Sequence, residues 1–383
     1  MIQKGSQRVG AARTGALSGP SCTCMKTTTQ SGQAWRGYER ALTVKLLSLN
    51  LFDVFYVLKY TANIEQYQGY KDIIKMQIVS VINYKGGVGK TTVTSNLAAE
   101  LAWRKKNVLV LDMDAQASLT FSLLTPDYWD KNLKNERTIK NWFDCVSQAE
   151  QTMPLADLRV RPEAVNNRFN GRGGCIDLIS SHLGLINVDL ELATLLGGAS
   201  PSQTQKKYLK VHGKLREELQ KLGEEMNYDI VLIDCPPNFN IVTKNALIAS
   251  DKILIPAKPD YLSTLGIDYL KRSVDSLVKD YNFYADKDED YERVSPEILG
   301  VIFTMIQIHS DQPIAAQRQY IAQTKRLHVP VFNAIFRENK SIFADAPRDG
   351  VPVALNRYSN ATHAAIVSEI EEFVDEFLKK VEE

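Results

Sequence analysis

The stretch VSVINYKGGVGKTT, residues 79–92, decides the fold. An apolar, β-branched run leads into glycines at 86, 87 and 89 and then into Lys90, Thr91 and Thr92. Glycines let backbone N–H groups turn inward around an anion, and a helix starting at Lys90 aims its positive end at the same point. The pattern K-G-G-x-G-K-T is a variant of the phosphate-binding loop G-x-x-x-x-G-K-[ST]. It sets Lys85, Gly86, Gly87, Val88, Gly89, Lys90, Thr91 and Thr92 around the phosphates of a nucleotide. Lys90 is expected to reach the β- and γ-phosphates, the Thr91 hydroxyl to bind Mg²⁺, and Thr92 to hydrogen-bond the α-phosphate. A plain glycine turn between strand and helix is the alternative, and it leaves the Lys90–Thr91 pair without a reason. One lysine suffices to grip a phosphate, so Lys85 asks for a second explanation.

Outward from the loop, short and almost wholly apolar runs recur: 77–83, 107–113, 228–234, 252–257 and 298–304, with CIDLIS at 175–180. Such runs predict strands buried on both faces. Helical stretches are expected at 91–105, 205–222, 241–249, 264–280 and 311–326. This alternation predicts an α/β fold with a doubly wound, mostly parallel sheet flanked by helices, its ligands lying beyond the carboxyl ends of the strands. The segment 126–205 is too long for a simple connection and should hold small helices; 284–297 reads as a solvated loop.

The 383 residues carry 46 Lys+Arg against 45 Asp+Glu, which excludes a uniformly basic nucleic-acid coat. The balance hides an asymmetry, because residues 1–75 hold 10 basic and 4 acidic side chains. The chain therefore divides into a basic N-terminal extension, 1–75, partly disordered or helical, and a nucleotide-binding domain, 76–383, with Met76 as natural start or boundary. Five scattered cysteines with no CxxC pair read as reduced thiols, not a zinc or iron–sulfur site. The most apolar stretch, 46–58, is interrupted by Asp53 and is shorter than the about 20 residues of a membrane span. With no apolar run behind the basic opening to make a signal peptide, a cytoplasmic location is expected.

The loop, with its early lysine, resembles that of the ParA/MinD family of deviant Walker-box ATPases, closest to the ParA/Soj partition type. Two further motifs carry the resemblance: VLVLDMDAQAS (108–118) and YDIVLIDCPPN (228–238). Later segments, 245–267 and 334–353, are similar as well, so the likeness spans roughly 76–380. Alanine at 115 and 117 departs from the family's Pro and Gly, which puts the loop that positions water in question.

The resemblance implies a P-loop NTPase fold of the deviant Walker A type, ATP and Mg²⁺ as cofactors, and a homodimer in the ATP state. Lys85 would reach in trans to the partner's phosphates, as an arginine finger does. Asp114 would orient the attacking water, with Asp112 and Asp234 holding Mg²⁺ through its water shell. Pro236 and Pro237 would stiffen the segment that carries a γ-phosphate signal to Asn238 and Asn240. Phe336 is a candidate adenine contact. Nonspecific DNA binding and nucleoid association are implied, with Lys325, Arg326, Arg337 and Lys340 as candidates, and so is a ParB-like or other cargo adaptor. The cargo expected first is a plasmid or chromosome, then a protein cargo such as a microcompartment or receptor cluster. A nucleotide-switched DNA-binding repressor is the alternative of another class, invited by the basic head. A membrane-bound role is disfavoured, because the C-terminal segment is rich in glutamate that anionic lipid repels.

Overall fold

In the computed structural model, residues 76–148, 153–169, 171, 173–197, 200–310, 312–356 and 360–382 are described. The expected extension 1–75 lies outside them. Eight strands make one sheet: β1 (Gln77–Val81), β2 (Asn107–Asp112), β3 (Arg159–Val160), β4 (Cys175–Ile179), β5 (Ile230–Asp234), β6 (Lys252–Ala257), β7 (Glu297–Ile306) and β10 (Val331–Arg337). A short ladder, β8 (Ile308–His309) with β9 (Gln312–Pro313), stands apart. The sheet order is β10-β7-β6-β1-β5-β2-β4-β3, and every neighbouring pair is parallel except β3 with β4.

Each central strand feeds two cores, as its alternation requires. On β1 and the residue after it, Ile78 and Ile82 enter one core while Val79 and Val81 enter the other. On β2, Leu109 and Leu111 oppose Val108 and Val110; on β5, Val231 and Ile233 oppose Ile230 and Leu232. The longer helices are α1 (Lys90–Trp103), α2 (Ile139–Gln148), α3 (Leu185–Leu195), α4 (Pro201–Met226), α5 (Ile241–Ala249), α6 (Tyr261–Ala285), α7 (Ala315–Lys325), α8 (Lys340–Asp349) and α9 (Ala361–Glu382). The first core takes its helical cover from α2 to α6, the second from α1 and α9. The doubly wound, mostly parallel α/β sheet expected from the apolar runs is therefore the fold observed.

The strand at 331–337 is absent from the sequence reading. It is an edge strand, exposed at Asn333 and only partly buried at Val331, Ile335 and Arg337, so it lacks the continuous apolar run that marks its neighbours. Its free edge is covered by the acid-rich C-terminal helix. Glu376 accepts from the backbone N–H groups of Asn333 (2.8 Å) and Ala334 (3.2 Å), and Glu369 from that of Arg337 (3.1 Å). Two of the C-terminal glutamates thus satisfy donors that an unprotected edge offers to other chains.

One buried group gives the fold a pH dependence. His212 of α4 is 1% exposed, against the ring of Tyr208 at 4.4 Å between centroids, and burial pushes its imidazolium down to about 4. The unfolded chain protonates this histidine near pH 6.5, so the penalty is absent above that value and grows as pH falls toward 4. Relative to pH 7.5, stability should drop by about 2 kcal/mol at pH 5 from this group alone. Urea unfolding of His212→Leu should show a correspondingly flatter profile; an unaltered one would contradict the assignment.

Candidate nucleotide site

The site lies at the carboxyl ends of β1, β2, β5, β6 and β7, where the glycine loop joins β1 to α1. Gly87 (φ 70°) and Gly89 (φ 81°) hold left-handed conformations that a side chain resists. Gly89 is the N-cap of α1 and offers no side-chain acceptor, which leaves the first N–H groups of the helix free for an anion. Gly86 and Gly87 face open space, whereas a Cβ on Gly89 would meet Thr304 at 3.6 Å. The loop apex is pinned there, because the Thr304 hydroxyl donates to the Val88 carbonyl at 2.8 Å.

The two lysines differ in setting. Lys90 is buried, its ammonium directed at the Asn83 carbonyl at a long 3.4 Å. Burial holds it below the ordinary lysine range, with Asp234 and Asp114 pulling the other way. Lys85 is about one-third exposed and forms an ion pair with Asp260 at 2.6 Å. Asp260 also caps α6, accepting from the Ser263 N–H at 2.9 Å, and the lysine beside it draws its carboxyl below the usual range against the opposing effect of burial.

Asp112 and Asp234 end adjacent strands in direct register and are buried. Burial pushes both carboxyls up, and for Asp112 the charge of Asp234 adds to the effect. The Thr91 hydroxyl donates to Asp234 at 2.7 Å, and Thr94 lies 3.4 Å from its other oxygen. Asp112 accepts from the Thr120 N–H (2.8 Å) and hydroxyl (2.7 Å) and from the Asp114 N–H (3.2 Å). A hydroxyl beside two destabilised carboxylates is a hard-oxygen set that fits Mg²⁺. Among the described residues no group of three or more His, Cys, Asp or Glu could hold a metal, so the ion would complete its shell with water and phosphate.

Asp114 sits on the loop after β2, its side chain accepting from the Gln116 N–H at 3.0 Å. Its carbonyl takes the Ser181 hydroxyl (2.6 Å) and the Ala117 N–H (2.8 Å), which closes the turn. Ala117 stands at φ 54°, a left-handed conformation that suits glycine and that strains alanine by roughly 1 kcal/mol. The alanine noted in the sequence is thus accommodated without opening the turn. Beyond β5, Asn238 accepts from the Asn240 N–H (3.4 Å) and the Thr243 hydroxyl (3.2 Å). Asn240 caps α5 through the Thr243 N–H (2.9 Å) and bonds Asp189 of α3, which also accepts from the Val242 N–H (3.2 Å).

Phe336 is buried against Phe373 and lines a largely apolar cavity with Gly89, Thr92 and Phe343, adjoining the glycine loop. Of the basic candidates, Lys325 and Arg326 are exposed at the end of α7, and Lys340 is exposed at the start of α8. Arg337 is instead committed to Glu369, its Nε and Nη2 each 2.7 Å from Oε1. Sequence reasoning missed Asn83, Asp260, Thr304 and Asp189, which act as hydrogen-bond partners of recognised motifs and carry no motif of their own.

Fold and site define a P-loop nucleotide-binding protein of the ParA/MinD type. The chain belongs to the AAA domain family AAA_31, which matches residues 76–285. It is 26% identical over 280 residues to the sporulation initiation inhibitor protein Soj of Bacillus subtilis, covering 73% of this chain and 90% of Soj. It is 27% identical over 282 residues to the chromosome partitioning protein ParA of Caulobacter vibrioides, covering 73% and 87%. Among solved structures it shares its fold with apo McdA of Cyanothece, at a TM-score of 0.58 and 22% identity over 79% of this chain and all of that one. An ATP complex of a McdA variant superposes similarly, with a TM-score of 0.57 and 20% identity over 79% of this chain and 96% of that one.

Proposed function

We propose that the protein is a Mg²⁺-dependent positioning ATPase that closes as a homodimer around ATP, binds DNA without sequence preference, and lets go when an adaptor on its cargo stimulates hydrolysis. The observation that carries this reading is Lys85: a second cation beside the phosphate loop, held by an ion pair loose enough to exchange. Pairs this exposed are worth about 1 kcal/mol or less, so a partner's phosphates compete readily for the ammonium. An exposed stripe of Tyr261, Leu262, Leu265 and Tyr269 follows Asp260 along α6 and supports a dimer by offering apolar surface to bury.

Within each protomer Lys90 and the α1 N-terminus hold the phosphates, and Asp114 orients the water that attacks the γ-phosphorus. The bond to the β,γ-bridging oxygen breaks, leaving ADP and phosphate. Thr91, with Asp112 and Asp234 through water, would hold Mg²⁺, which neutralises phosphate charge. Phe336 lines the apolar cavity beside the glycine loop, where it would contact the base. Loss of the γ-phosphate would be felt at Asn238–Asn240 and passed through Asp189 to α3. The relatives named for chromosome partitioning support a DNA cargo, plasmid or chromosome, and a cytoplasmic, nucleoid-associated protein. Among the described residues no helix is long and apolar enough to cross a membrane.

Binding to random-sequence duplex DNA, titrated with salt in ATP and in ADP, tests the reading. Two protomers presenting Lys325, Arg326 and Lys340 should give tight binding only with ATP, and a slope of log K against log salt of about −5. Equal binding in ADP, or none in ATP, would overturn it.

A further inference from the structure

Asn83 is 1% exposed and lies two residues beyond the end of β1. Its side-chain Nδ2 donates to the Pro256 carbonyl of β6 at 2.8 Å, its Oδ1 accepts the Lys85 backbone N–H at 2.9 Å, and its own carbonyl faces the Lys90 ammonium at 3.4 Å. One residue therefore touches both lysines and ties them to the strand that leads to Asp260. The amide has a donor end and an acceptor end, each facing its complement on the main chain, so a single orientation satisfies both. Aspartate would set an oxygen against the Pro256 carbonyl, and glutamine adds a methylene the buried site does not need. The same strand end grips the loop a second time, since the Thr304 hydroxyl bridges Val88 and, at 3.4 Å, the Ala257 carbonyl.

We propose that Asn83 is a positioning residue for the two lysines: it fixes the backbone from which Lys85 reaches either Asp260 or a phosphate, and it sets the depth of the Lys90 ammonium. This rests on the reading of both lysines as phosphate ligands. The amide acts by holding the Lys85 main chain still, so that the side chain alone has to move.

A double-mutant cycle on steady-state ATP hydrolysis, at saturating ATP and with thermal midpoints recorded for every variant, tests it. Lys85→Ala should slow turnover about 100-fold and Asn83→Ala about 30-fold, and the double variant should be no slower than about 100- to 300-fold, because both remove one function. Should Asn83→Ala fail to fold, Asn83→Ser supplies the same cycle with a polar atom retained. Multiplicative losses, on the order of 3,000-fold in the double variant, would overturn the proposal alone, since Asn83 would then act independently of Lys85. Normal turnover in Asn83→Ala would do the same. Unchanged turnover in Lys85→Ala would overturn the reading of Lys85 and this proposal together.

Discussion

Asp114→Ala is expected to slow ATP hydrolysis about 100-fold while changing ATP affinity by no more than about threefold. The carboxylate stands on a turn that its backbone closes without it: the carbonyl of residue 114 takes the Ser181 hydroxyl and the Ala117 N–H, and its N–H bonds Asp112. Removing the side chain costs one hydrogen bond, that with the Gln116 N–H, and one charge near Lys90 and Asp234, so the loop keeps its shape and the carboxylates proposed for Mg²⁺ stay in place. On the proposed reading, what disappears is the group that orients the attacking water, a function exerted in the transition state and not in the ground state. The variant should therefore accumulate as an ATP-bound dimer on DNA. Single-turnover hydrolysis with a separate nucleotide-binding titration separates the two effects, and equal losses in affinity and rate would place Asp114 in binding instead.

Lys90→Ala is expected to act in the opposite sense, weakening ATP binding at least about 100-fold and abolishing measurable turnover. Lys90 is a buried cation acted on by the charges of buried Asp234 and partly buried Asp114, and among the described residues its ammonium has one long contact to the main chain. Burial already disfavours its charge, so a polyphosphate that restores electrostatic balance is bound with much of the desolvation already complete. Without the lysine, Asp234 loses the neighbouring charge that lowers its pKa and is driven further toward the protonated form, which also removes a partner for Mg²⁺. Calorimetric titration with MgATP measures this directly; an affinity within a few-fold of wild type would remove Lys90 from the phosphate site.

How much of this was legible depends on the kind of signal. The strands at 77–81, 107–112, 230–234 and 252–257 are buried on both faces, so their apolar runs carry the fold in plain view. The edge strand at 331–337 is half-exposed and relies on Glu369 and Glu376, more than thirty residues away, to satisfy its N–H groups. No local pattern contains that information. The same holds in the site. Lys85 to Thr92 are contiguous and announce themselves, whereas Asp260 lies 175 residues from Lys85 and Pro256 lies 173 residues from Asn83. The sheet order, which sets β6 beside β1, brings them together, and topology of that kind is written in the pairing of strands and not in any one segment.

The central claim is that Lys85 senses a partner's nucleotide, and light scattering on the full chain with ATP or ADP tests it most directly. Wild type should double in mass with ATP alone, and Lys85→Ala should remain a monomer in both. Asp260→Asn keeps a side chain able to cap α6 but removes the competing charge, so its dimer should form at about two- to fivefold lower ATP concentration. A Lys85→Ala protein that dimerises with ATP as the wild type does would contradict the account.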